Sequence, residues 1–185
     1  MALINQSDLE TRLGRSLTTE EASDFSIINA ANQSYIEKII GSSLEPASET
    51  TRYYDGGVQH LKIDPCAVIT AVKLVDTDQS VIETIDSTYY TQEPINKTLK
   101  TMIRYRYGKL YCGYNNISVT AQFSVASDTN IINIIKNAML EALASEIDNS
   151  SEILKESIEG YSVEFAQTAT KNSLDSIKYL FPEII

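Results

Sequence analysis

Thr50-Thr51-Arg52-Tyr53-Tyr54-Asp55-Gly56-Gly57-Val58-Gln59-His60-Leu61-Lys62-Ile63 is the stretch at which this chain changes period. Before it, apolar residues recur at helical steps; within it, β-branched and aromatic residues crowd on either side of Asp55-Gly56-Gly57. That tripeptide is turn chemistry able to supply positive φ, so the spacing predicts a hairpin of 50–54 with 58–63. Strand signal then continues. Ala67 to Val75 is rich in β-branched residues, Asp76-Thr77-Asp78-Gln79 reads as a turn, and Val81 to Ile85 reads as the returning strand. Thr88 to Gln92, Met102 to Tyr107 and Ile117 to Val125 complete the candidates. The connections are too short for helical crossovers, so antiparallel pairing is expected.

The flanks are helical. Ser7-Asp8-Leu9-Glu10 has capping-box spacing and predicts a short helix to about Leu13. Thr18-Thr19-Glu20-Glu21 repeats the signal, and Phe25, Ile28, Ala31, Tyr35 and Ile39 follow at three- and four-residue steps up to the break at Gly41. On the far side, Asp128 is an N-cap candidate for a helix to about Ile147. Its apolar positions Ile131, Ile132, Ile134, Ile135, Ala138, Met139, Ala142 and Leu143 cover more than a narrow stripe, as expected of a central helix or one shared with a neighbouring subunit. A further helical piece spans Glu152 to Ile158, a break falls at Gly160, and a last amphipathic stretch runs from about Asn172 to Phe181 with Leu174, Ile177, Leu180 and Phe181 on one edge. The expected class is α+β: one domain over 1–185, a helical bundle formed by 1–48 and 126–185, and an antiparallel β-rich insertion at 49–125.

Composition narrows the function. With 43% apolar and 22% charged residues this is an ordinary globular chain, and no apolar run is long enough to cross a bilayer. The opening Met1-Ala2-Leu3-Ile4 lacks a cationic leader and a long apolar core, so no export signal is expected. Cys66 and Cys112 have neither disulfide-scaffold nor redox spacing and read as packing residues in a reducing compartment. A net charge of −10 disfavours tight binding to phosphate unless the basic groups gather on one face.

Chemistry-bearing motifs are few. Arg104-Tyr105-Arg106-Tyr107-Gly108-Lys109-Leu110-Tyr111-Cys112-Gly113-Tyr114 interleaves cations and rings as single-strand binders do, but the run is short and the chain acidic, so an exposed hairpin or loop with tyrosines packed on a sheet is the simpler reading. His60, the lone histidine, has no partner for a metal and no nucleophile motif beside it. Asp76 and Asp78 lack the further ligands of a calcium loop, and Asp55-Gly56-Gly57 leads into a strand where a phosphate loop would need a helix. No catalytic set, metal site or cofactor site is expected. A binding module for a small or sugar ligand, using Tyr53, Tyr54, Tyr105, Tyr107 and Tyr111, is the alternative from a different class.

The order of segments resembles the head-to-tail connector proteins of tailed bacteriophages. Three places carry the resemblance: Asp8-Leu9-Glu10 with Leu13-Gly14-Arg15 and Thr18-Thr19-Glu20-Glu21 before a helix ending Ile39-Ile40-Gly41; Arg52-Tyr53-Tyr54-Asp55-Gly56-Gly57 continuing to Leu61-Lys62-Ile63-Asp64-Pro65; and Glu156-Ser157-Ile158-Glu159-Gly160-Tyr161-Ser162-Val163-Glu164-Phe165. The last is similar to a serine-isoleucine-glycine-aspartate-tyrosine-serine pattern, although no aspartate follows Gly160. The resemblance implies an adaptor in the virion neck, assembled in the host cytoplasm as a ring, commonly of twelve, beneath the portal. It also implies contact with the next neck or tail-completion protein and a lumen through which DNA passes. It puts portal binding on the C-terminal segment, at Tyr161, Phe165, Leu174, Ile177, Leu180 and Phe181, and offers Ile131, Ile135 and Met139 as a subunit interface.

Overall fold

A computed structural model describes residues 3–153 of the chain. Three α-helices and seven strands run in the order α1 (Gln6–Leu13), α2 (Thr19–Ile40), β1 (Thr50–Tyr54), β2 (His60–Cys66), β3 (Ile69–Val75), β4 (Val81–Thr84), β5 (Tyr90–Glu93), β6 (Lys100–Tyr105), β7 (Ile117–Ala121) and α3 (Thr129–Ile153). The described residues are therefore mixed α+β, with three helices and two antiparallel sheets. A helical bundle is not evident among them: α1 has eight residues, and the expected helix at 172–181, like the segments at 154–160 and 161–165, lies outside the described residues. Among the described residues two compact units emerge, one of 3–39 with 130–153, the other Ile40–Thr129.

In the helical unit the cap of α1 sits two residues before the expected Ser7. Asn5 Oδ1 accepts from the N–H of Asp8 at 2.9 Å while Asp8 Oδ2 accepts from the N–H of Asn5 at 3.1 Å. The Asn5-to-Asp8 box has the same three-residue span and closes two residues earlier, and Glu10 accepts instead from Gln6 Nε2 at 2.8 Å and the N–H of Leu17 at 3.1 Å. The second box forms where the sequence places it, between Thr18 and Glu21. The buried stripe of α2 is Phe25, Asn29, Asn32, Ile36 and Ile40, turned one residue from the expected Phe25-Ile28-Ala31-Tyr35-Ile39. Asn29 explains part of the turn, because its Nδ2 donates to the carbonyl of Ile4 at 3.0 Å and so belongs inside. Helix α3 runs on to Ile153, past the expected Ile147, and Asp8–Lys136 (2.9 Å) and Arg12–Glu141 (3.1 Å) tie it to α1.

In the β unit the order is β1-β7-β3-β4 in one sheet and β2-β6-β5 in the other. The expected hairpin of β1 with β2 does not form. Arg52 of β1 pairs with Val119 of β7, and Leu61 of β2 pairs with Ile103 of β6, so 55–59 is a crossing from one sheet to the other. The hairpin β3–β4 does form, across the turn in which Asp76 Oδ1 accepts from the N–H of Asp78 (3.0 Å) and Ser80 (2.8 Å). The core holds Leu61, Ile63 and Ile103 from one sheet with Val72, Ile117 and Val119 from the other. Alternation along each strand sends the intervening residues outward.

Candidate interaction surface

Two motifs of the crossing region meet in one polar knot. Arg52 donates to the carbonyl of Gly41 and, at 2.6 Å, to Asp64 Oδ2; Tyr54 Oη donates to the same carboxylate oxygen at 2.9 Å. The guanidinium also lies over the Phe123 ring, 4.1 Å from its centroid. Gly41 has φ of +68°, and a Cβ there would collide with the Asp64 carboxylate, so the glycine serves both the helix stop and the close approach. Burial, and then the Asp64 charge, push the Tyr54 hydroxyl far above its ordinary range. Burial raises the Cys66 thiol to about 12, with Asp64 adding to the effect. Every member of this knot is satisfied within the chain, which makes it a structural joint.

The crossing itself is held by backbone. Gly56 N–H donates to the carbonyl of Gly113 and to Asn116 Oδ1, both at 2.9 Å, and Gly57 N–H donates to the carbonyls of Leu110 and Tyr111 at 3.0 Å. Asn115 N–H donates to Asp55 Oδ1 at 2.8 Å. Asp55-Gly56-Gly57 thus seats the loop 106–116 instead of turning a hairpin.

That loop leads to an exposed surface of the β unit. Tyr89, Tyr107, Tyr111 and Tyr114 are exposed, Tyr114 at 90%, and the Tyr89 and Tyr107 rings meet edge to face at 5.6 Å. Tyr105 is half-buried beneath them; burial raises its hydroxyl, followed by the neighbouring Tyr111 and Glu83. Alongside is the outward face of β2-β6-β5. His60 and Thr91 are both paired with Arg104, and Lys62 and Glu93 with Met102, so strand alternation brings Lys62, Arg104 and His60 onto one face. Arg106 extends the row: its N–H donates to the carbonyl of Tyr89 at 2.8 Å and its Nε to Thr91 Oγ1 at 3.2 Å. Glu93 joins the row 3.6 Å from Arg104.

Sequence reading had singled out Arg104 to Tyr114 but missed Lys62 and the face as a whole. A signal was present. Residues 76–93 carry five acids and no base, whereas 94–127 carry five bases and no acid. The acids Asp76, Asp78, Glu83 and Asp86 are exposed on the β3–β4 turn, on β4 and just after it. Strand β4 is an edge of its sheet, with Val81 and Ile82 exposed at 54% and 62%.

The other candidates fall as follows. Ile135 and Met139 are fully buried within the chain, Ile131 is half-buried, and Ile134 of the same helix is exposed. Tyr161, Phe165, Leu174, Ile177, Leu180 and Phe181 lie outside the described residues. Of the five tyrosines considered for a ligand, Tyr105, Tyr107 and Tyr111 stand together, Tyr54 is turned into the polar knot and Tyr53 lies on the other sheet. Among the described residues no group of three or more His, Cys, Asp or Glu could hold a metal ion, and no helix is long and apolar enough to cross a membrane.

No family model matches the chain, and no curated protein matches it. Three chains of solved structures do. One, described as the neck of an empty GTA particle computed with C6 symmetry, covers 95% of this chain and 88% of its own length, with a TM-score of 0.51 and 12% identity. At that identity the likeness is one of fold.

Proposed function

We propose that this chain is a structural protein of a phage-like virion neck, a head-to-tail connector with no enzymatic role. The observation that carries the reading is the fold likeness, over 95% of the chain, to a protein from the neck of a particle. The connector resemblance of the sequence points the same way by a separate route. In this reading copies assemble as a ring beneath a portal, the C-terminal segment docks onto the portal, another surface meets the next neck component, and DNA passes through the lumen without base-specific contacts. The helical ends and β-rich insertion act as one connector domain. The symmetric assembly described for the neck neighbour supports a ring.

Electron microscopy of the protein mixed with its cognate portal tests the reading: an added ring of density on the portal is expected. A portal that stays bare, with both proteins folded, would refute it. Removing the residues after Asn172 is expected to abolish portal binding in a pull-down while leaving the chain folded.

A further inference from the structure

The β unit carries two exposed surfaces of opposite charge that come from adjoining stretches of the chain. The first is the outward face of β2-β6-β5, where Lys62, Arg104 and Arg106 stand with His60, and Glu93 lies 3.6 Å from Arg104. The second is the β3–β4 turn and strand β4, which offers Asp76, Asp78 and Glu83 with no base between residues 76 and 93. All four residues of β4 are exposed, no described strand pairs with its outer edge, and Val81 and Ile82 add an apolar ridge beside the acids.

We infer that these two surfaces are each other's partners between copies: the acidic β4 edge of one copy seats on the basic sheet face of the next. Charge complementarity selects the occupant. A chain of net charge −10 repels phosphate at a distance, which counts against nucleic acid on the basic face, whereas the matching acids are present in every copy at equal stoichiometry. The apolar parts match as well, since Val81 and Ile82 would meet Met102 and the exposed Tyr107 beside the arginines. Each copy presents one surface of each kind, so the contact is head-to-tail and propagates until the rotation between copies closes a ring. The inference rests on the ring reading above and names the faces that would build it.

Charge exchange tests it. At about 1 mM protein and about 0.01 M salt, where the screening length is roughly 30 Å, the wild-type chain should self-associate, and raising salt to about 0.15 M should weaken the association. Arg104→Glu with Arg106→Glu in one variant, and Asp78→Lys with Glu83→Lys in another, should each weaken it at least about tenfold, because like charges then face each other. Mixing the two variants in equal amounts should restore it, since each exchanged face now meets its complement. All four side chains are on exposed residues, and circular dichroism of each variant checks that the fold is kept.

Three results overturn the inference. They are a wild-type chain that stays monomeric under these conditions, association unaffected by both variants, or a mixture that fails to recover. A shift of a single-stranded oligonucleotide by wild type, lost in the arginine variant, would instead assign the basic face to nucleic acid. Failure here leaves the portal experiment untouched, so the surface and the neck role stand or fall separately.

Discussion

Replacing Gly56 by alanine tests whether the crossing between the two sheets is built as described. A Cβ at Gly56 would fall inside contact distance of the Tyr111 carbonyl oxygen, 2.7 Å from Asn116 Oδ1 and 3.1 Å from the Tyr111 carbonyl carbon. Backbone cannot swing aside as a side-chain end can, so the loop 106–116 must retreat by roughly 1 Å, which takes a bond of ordinary length out of range. The bonds at stake are the two that Gly56 N–H donates, to Gly113 and Asn116, and the one from Gly57 N–H to Tyr111. At a net contribution of about 1 kcal/mol each, their loss destabilises the β unit by about 3 kcal/mol. Gly14→Ala is the control: φ there is +68° but nothing lies within 4 Å of the added carbon, so only conformational strain of about 1 kcal/mol is incurred. The chain has 11 tyrosines and no tryptophan, so urea unfolding followed by far-ultraviolet dichroism and tyrosine emission reads both variants. Gly56→Ala within about 0.5 kcal/mol of wild type would show that the loop is not seated on this glycine, and the account of the crossing would fall.

Three further outcomes follow from the same geometry. In native protein a thiol reagent should modify Cys112, which is exposed, and leave Cys66, which is fully buried with its thiol raised to about 12; denaturant should release the second thiol. Tyr54→Phe removes the hydroxyl donated to Asp64 and should cost about 1 kcal/mol at neutral pH. Because the folded chain holds the Tyr54 proton above its ordinary value of 10.0, that stability is full below pH 10 and falls as pH rises beyond it, a slope the phenylalanine variant should lack in alkaline unfolding. Glu21 behaves in the opposite sense. Paired first with Arg15 and then with the Thr18 N–H, it is lowered from 4.5 to about 2, so its contribution is present above pH 4.5 and lost as pH falls toward 2; Glu21→Gln should flatten that part of the helical signal's acid titration.

The strand block was legible because local chemistry fixed it. β-branched runs bounded by Asp76-Thr77-Asp78-Gln79 became β3 and β4, and antiparallel pairing followed from short connections. What failed was partner choice. Asp55-Gly56-Gly57 has the chemistry of a tight turn, yet β1 pairs with β7 some sixty residues away, because inward-facing Ile117 and Val119 must be covered from both sheets. Short-range propensity carries no information about that demand. The one-residue rotation of α2 has a similar origin: a periodicity count weights Ile28 above Asn29, but Asn29 gains a bond to the Ile4 carbonyl by turning inward.

The motifs that carry the connector resemblance through the β unit are the ones that turn out to be structural. Arg52, Tyr54 and Asp64 join each other and the carbonyl of Gly41, and Gly56 and Gly57 seat a loop, so these residues are saturated before any partner arrives. A likeness in such residues transmits the fold, whatever the chain then binds. Partner recognition has to be sought where the fold leaves chemistry unspent. In the β unit that is the sheet face with Lys62, Arg104 and Arg106, the tyrosine tip, and the acidic open edge at β4. The change from an all-acid to an all-base stretch at residues 93 and 94 becomes a functional signal only with the topology, because two stretches that adjoin in sequence end on different sheets.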